Sequence, residues 1–150
     1  MKMEKAAILT ICTSLVAASL LSGFGDSMTG RSVPELLRQR ADIIQMVWYS
    51  EVTPEEGEEL LKQIETHPLL SSDVMWLRRA EEGMDFAYVL DMEVVDWKQT
   101  SRSLAGTCYL AEIRWELEEY NRHVTEQRSY RIRTVQNSDG SILLSEFQAQ

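Results

Sequence analysis

The feature that most constrains this chain is a change of hydrophobic period at Met84. Before it, apolar residues recur at the three-to-four spacing of a helix face. After it they recur at every second position, as a strand with one buried face requires. A chain that reads helical first and extended afterwards keeps its helices apart from its strands. Architectures that alternate the two are disfavoured, and the expected class is α+β.

The clearest extended stretch is TCYLAEIRWELEEY, Thr107–Tyr120. Tyr109, Ala111, Ile113, Trp115 and Leu117 fall on one side, and Glu112, Arg114, Glu116 and Glu118 on the other. Such alternation describes an antiparallel sheet packed on one face and wet on the other. Upstream, DFAYVLDMEVVDWK sets Phe86, Tyr88, Leu90, Met92 and Val94 against Asp85, Asp91 and Glu93. The pattern slips at Val94–Val95, leaving Val95 and Trp97 as the apolar pair, which a β-bulge would produce. KQTSRSLAG reads as the turn into the next strand.

Downstream, VTEQRSYRIRTV places Val124, Tyr130 and Ile132 inward and Arg131 and Arg133 outward. NSDG, Asn137–Gly140, fits a type I turn followed by a left-handed glycine, and SILLSEF closes a four-stranded meander. Strands longer than the usual ~5–6 residues favour a strongly curved sheet. If Asn121–Arg122 is a two-residue turn, Ile113 faces Tyr130, Ala111 faces Ile132, and Glu112 opposes Arg131. Leu117 then faces Glu126, and Trp115 faces Arg128. A one-residue slip would put Arg131 among the core aromatics, at the cost of burying an unpaired cation.

The helical half carries its own start signals. Ser32 caps a first helix with Pro34 in its first turn and Glu35 reaching back. Leu36, Leu37, Ile43, Ile44, Val47 and Trp48 form its apolar stripe, and the expected end is near Ser50. Thr53, Pro54 and Glu56 open a second helix, with Leu60, Leu61 and Ile64 as its buried face and Pro68 as its end. Glu55, Glu56, Glu58 and Glu59 complement the helix dipole there and are not read as a cation site. Val74, Trp76, Leu77 and Ala80 suggest a short third helix closed by Gly83.

The first residues, MKMEKAAILTICTSLVAASLLSGFGDS, set Lys2 and Lys5 before an uncharged run from Ala6 to Ser22. That is the layout of a secretory signal cleaved after Gly25, of an uncleaved membrane anchor, or of a buried core helix. The expected organisation is a signal or anchor over 1–25, a linker over 26–31, and one domain over 32–150. Ile11 before Cys12 is too bulky for lipoprotein processing. Without that segment only Cys108 remains, so the exported domain holds no internal disulfide and rests on packing. Cys108 itself reads as a small core or interface hydrophobe.

The chain carries a net charge of −9; without Lys2, Glu4 and Lys5 it keeps 13 basic and 23 acidic side chains, or −10. An acidic surface repels phosphate backbones and anionic lipid, so no nucleic-acid partner is expected, and membrane contact only through the N-terminal segment. No phosphate loop, nucleophile elbow or basic-aromatic run occurs. His67 and His123 lack a third ligand at a suggestive spacing, so neither a metal nor another cofactor is expected. Weak catalytic candidates remain in Glu126 and Arg128. If strand three alternates without interruption, they share the face of Tyr130, near Tyr109 and Trp115, where shifted proton affinities would serve proton transfer. The plainer reading places them at a fraying hairpin end. The tryptophans Trp48, Trp76, Trp97 and Trp115 read as core rather than pocket.

The whole arrangement, over about residues 31–148, resembles the nuclear-transport-factor-two-like, cystatin-like group of cone folds, most of all in the terminal hairpin RTVQNSDGSILLSEF. One departure is Leu69–Ala80, which reads as helix where members of that group often place a strand. The resemblance implies helices against a curved sheet, and two kinds of function. Ketosteroid isomerase and polyketide cyclase relatives use the cone's mouth as a pocket; here Tyr109, Trp115 and Tyr130 would line it. Other relatives are non-catalytic lipoproteins or membrane-anchored scaffold subunits of secretion machines. With no site that stands out, the expectation is an exported or anchored interaction domain with protein partners. The alternative is a ligand-binding or isomerase-like cone.

Lys2 and Lys5 should stay in the cytoplasm and Asp26 onward should lie outside it. Protease added to intact cells is expected to digest the domain. Digestion only after lysis would contradict the topology.

Overall fold

In the computed structural model, which describes residues 31–79 and 87–150, three helices precede a four-stranded sheet. They are α1 (Val33–Trp48), α2 (Pro54–Leu61), α3 (Leu69–Arg79), β1 (Tyr88–Ser103), β2 (Gly106–Glu119), β3 (Arg122–Gln136) and β4 (Ile142–Ala149). The strands are antiparallel in the order β1-β2-β3-β4, so the fold is α+β with a meander sheet. The signal or anchor, the linker up to Gly30, and Ala80, Gly83 and Phe86 lie outside the described residues. Among the described residues no helix is long and apolar enough to cross a membrane.

Local chemistry starts the helices. At α2 the capping box is complete. Thr53 Oγ1 accepts from the Glu56 N–H at 3.2 Å, and Glu56 Oε2 accepts from the Thr53 N–H at 2.8 Å. At α1 only half of it forms. Ser32 Oγ accepts from the Glu35 N–H at 3.4 Å, while the Glu35 carboxylate takes a bond from Gln39 instead of reaching back. Pro68 does not end α2, which stops at Leu61; it stands immediately before α3, where its missing donor costs nothing and its carbonyl accepts from the Ser72 N–H at 3.3 Å. The residues between run beside β4. The Thr66 N–H donates to Leu144 O, and the Leu144 N–H to Ile64 O, both at 2.8 Å.

The β2–β3 hairpin differs from expectation by two residues. Its turn is Tyr120–Asn121, not Asn121–Arg122, and both have positive φ, at 48° and 60°. A turn of the I′ type needs that at both central positions, and its twist matches the strands it joins. Ile113 consequently pairs with Arg128, Ala111 with Tyr130, Trp115 with Glu126 and Leu117 with Val124. A shift of two keeps each residue on its face. Ala111, Ile113, Tyr130 and Ile132 are therefore buried as their alternation requires.

β1 is less regular than its sequence suggests. The slip near Val94–Val95 is present, but two more register shifts fall between Val89 and Asp91 and between Gln99 and Ser101. The shift at Val89–Asp91 brings Val89 opposite Leu117 and leaves Leu90 41% exposed, not inward; the slip at Val94–Asp96 leaves Val95 44% exposed while Val94 and Trp97 pack on the core. Lys98–Ser103, read as a turn, continues the strand. Each bulge bends its strand and adds twist, so the sheet curls around the helices. Cys108 is half-buried on β2, opposite Ser101 and Arg133, among the polar set rather than in the core.

Leu36, Leu61, Leu77, Ile113, Ile132 and Leu144 seal the space between helices and sheet. Helix side chains also occupy the open edge of β1. Gln45 accepts from the Val89 N–H at 2.7 Å and donates to Val89 O at 3.2 Å, and Arg38 donates to Met92 O at 3.3 Å. Those bonds satisfy backbone groups that would otherwise invite a foreign strand.

Gly57 lies where α2 meets α1 and α3. A Cβ there would stand 2.4 Å from Val47 Cγ2 and 3.1 Å from Leu77 Cδ1. Alanine would gain about 1 kcal/mol of helix propensity, but overpacking against a β-branched, stiff Val47 costs about 1–3 kcal/mol. Gly57→Ala is expected to lose roughly 0–2 kcal/mol on balance in urea denaturation; a more stable variant would mean that Val47 yields.

Candidate functional site

A groove of about 420 Å³ opens between the second half of α1, α3 and the inner face of the sheet. Its walls are Ile44 and Trp48 of α1, Trp76 of α3, Val89 of β1, Trp115 of β2 and Phe147 of β4. The size suits a small ligand or a few inserted side chains. Beneath it the aromatics are ordered. Trp115 Nε1 donates to Tyr130 Oη at 3.0 Å, and the Tyr130 ring stacks on Phe147 at 4.5 Å.

Two polar residues that line the groove, Arg40 and Asp73, form a cluster with Glu65 beneath it. Arg40 of α1 donates from Nε to Asp73 Oδ2 at 2.6 Å and from Nη2 to Asp73 Oδ1 at 2.8 Å, a bidentate fork. The guanidinium lies 4.7 Å over the Phe147 ring. Glu65, from the connection between α2 and α3, places Oε1 3.2 Å from Arg40 Nε. That N–H is already directed at Asp73, and neither Glu65 oxygen receives a well-formed hydrogen bond from a described residue. Glu65 and Asp73 are each only 2% exposed. Burial, and next the Asp73 charge, push the Glu65 carboxyl up to about 9 against the opposing pull of Arg40.

Chemically the groove offers aromatic faces and committed dipoles. Asp73 is held by Arg40, and Glu65 is sealed away from the opening, so neither stands free to exchange a proton with something bound there.

The residues singled out from sequence are scattered. Glu126 and Arg128 pair with each other at 2.6 Å, with side chains 34% and 58% exposed, and neither lines the groove. Trp115 does line it. Tyr130 lies buried below, and Tyr109 stacks on Trp97 at 5.1 Å, outside the groove. Among the described residues no three His, Cys, Asp or Glu side chains gather as metal ligands. Arg40, Glu65, Asp73 and Phe147 were missed by pattern. Two of them carried a signal: Arg40 sits four after Leu36 and three before Ile43, inside an apolar stripe, and Asp73 sits four after Leu69 and four before Leu77. Opposite charges inside two apolar stripes are candidates for meeting when the stripes pack.

No family model matches the chain, and no curated protein matches it. Among solved structures it is similar to a de novo designed beta-sheet protein determined in solution by NMR. That match has 19% identity, covers 78% of this chain and 86% of that one, and has a TM-score of 0.38. It is also similar to the intermembrane-space region of the chloroplast protein ARC6, at 15% identity, 79% and 97% coverage, and a TM-score of 0.41. At such values neither likeness bears on function.

Arg40→Ala would leave two buried acids without their cation, and is expected to cost about 3–5 kcal/mol in chemical denaturation. Arg40→Lys should recover only a small part, since an ammonium has neither the fork nor the flat face that rests on Phe147. Full recovery by lysine would mean that charge alone matters.

Proposed function

We propose that the chain is an extracytoplasmic, non-enzymatic interaction domain that meets a protein partner through the groove between α1, α3 and the sheet. Residues 1–25 serve in this reading as its export signal or its anchor. The observation that carries it is the groove's make-up: aromatic walls around an Arg40–Asp73 pair whose charges are already committed to each other. Trp76, 39% exposed, and Met75 beside it offer the side-chain types that dominate binding energy at protein interfaces. The net charge of −10 outside the leader favours a basic partner by long-range attraction. An isomerase- or cyclase-like enzyme would need a free acid or base inside the cone. Glu126, the candidate for that part, is tied to Arg128 at 2.6 Å, outside the groove. The volume of about 420 Å³ favours a small apolar ligand as the second reading.

A photo-crosslinker at position 76, in native membranes, is expected to capture one protein that a crosslinker at Glu116 does not. Trp76→Ala should weaken binding of that protein by about tenfold or more. Stability should change by under about 1 kcal/mol, because the side chain is partly exposed already. Equal capture at both positions, or a small molecule retained at position 76 with no protein, would overturn the reading.

A further inference from the structure

The cluster beneath the groove contains two acids and one base. Glu65 and Asp73 are both sealed from water, and Arg40 is the cation within reach. With both acids ionised the joint would hold an excess negative charge in a dry place, which is among the costliest arrangements a core can contain. Geometry shows which acid yields. Both donors that Arg40 turns inward end on Asp73, in the fork of a carboxylate. Glu65 has two oxygens without a hydrogen bond from any described residue, an unsatisfied state for a carboxylate. A protonated Glu65 removes the excess charge and becomes a donor itself, with Asp73 as its acceptor.

We propose that the Arg40–Glu65–Asp73 cluster is a proton-binding site: it holds one proton, on Glu65, as part of the folded structure. Losing that proton weakens the joint between α1, α3 and β4. The charged groups facing Glu65 are Arg40 from α1 and Asp73 from α3. β4, which borders it at Leu144, brings no charge to it, since Glu146 pairs with Arg133 at 3.1 Å. His67, two residues on, is exposed and bonded to Ser71. The proton affinity of Glu65, raised to about 9, agrees with this placement.

The sign follows from linkage. Below about 4.5, the ordinary value for this group, folded and unfolded chains both carry the proton. Between that value and about 9 only the folded chain keeps it, so stability falls as pH rises; above about 9 both have lost it. Within the window the unfolding equilibrium constant grows about tenfold per pH unit through this one group.

The test compares the full chain with Glu65→Gln, a neutral mimic of the protonated acid, by urea denaturation from pH 6 to pH 9. Other titrating groups cancel in the difference. The wild-type unfolding constant is expected to rise relative to the variant's by about tenfold per pH unit. Parallel curves would overturn the proposal. Should the variant not fold, the carbon-13 resonance of the Glu65 carboxyl in the wild-type protein decides instead. It is expected to keep its protonated position at neutral pH and to move in the alkaline range. Movement complete below pH 6 would refute the bound proton.

Discussion

The sheet has one face to bury, and the helices available to cover it are short. β1, β2 and β3 run for 16, 14 and 15 residues, so each would extend about 50 Å if straight. The longest helix among the described residues has 16 residues and spans only about 24 Å. A flat sheet of that length would leave half of its apolar face wet. The bulges in β1 and β4 resolve the mismatch by curling the sheet over the helices, so that the buried set falls early in β1 (Met92), in the middle of β2 (Ala111, Ile113) and late in β3 (Tyr130, Ile132, Thr134). What the helices do not reach is then disposed of in two ways. At one end the β1–β2 hairpin carries polar residues out to an exposed Leu104. At the other, the layers part and leave the groove walled by Trp48, Trp76 and Trp115.

Against that background the ionic cluster is a device for placement more than for stability. A fork of Arg40 onto Asp73 attracts strongly in a dry site, but stripping water from both groups costs a comparable amount. What the pair contributes is selectivity. Apolar stripes on α1 and α3 slide past one another at little cost, whereas a buried charge one turn out of register has no partner. The fork therefore favours one rotation and one height of α3 on α1. Phe147 under the guanidinium extends the same selection to β4.

How much of this was legible depends on the range of the physics involved. The Thr53 box, the Asn137–Gly140 turn with Gly140 at φ 87°, and the inward set of β2 are local, and each reads directly from a few neighbouring residues. The β2–β3 register was missed by two because Tyr120–Asn121 and Asn121–Arg122 both offer an asparagine. The choice between them rests on strand twist, which no short window contains. Leu90 was placed inward because simple alternation cannot foresee a bulge whose purpose is to fit the sheet around helices distant in sequence. Pro68 was read as a stop when it is a start, since the same ring suits either side of a helix boundary. Arg40 and Asp73 were visible as interruptions of apolar stripes. That they answer each other, and that Glu65 joins them, is a fact of tertiary packing.

The two faces of the sheet carry opposite kinds of polar chemistry, and that contrast bears on where a partner would dock. On the outer face, Glu93 pairs with Arg114, Gln127 with Glu112, and Arg133 with Glu146, each across neighbouring strands. Exposed pairs of this sort are worth about 1 kcal/mol or less. They keep the outer surface hydrated and unattractive to apolar partners while still supporting the strand register. Inside the groove the two charged groups, Arg40 and Asp73, are spent on each other, Gln45 is bonded to the Val89 backbone, and most of the wall is ring and aliphatic surface. Water there gains little by staying, so displacing it with an apolar side chain is favourable, whereas displacing it from the outer face would strip hydration from charged pairs. Glu65, whose proton affinity burial raises, lies below the groove and not on its wall, where a bound group would meet it. Recognition through shape and aromatic contact is what such an arrangement of residues is suited to.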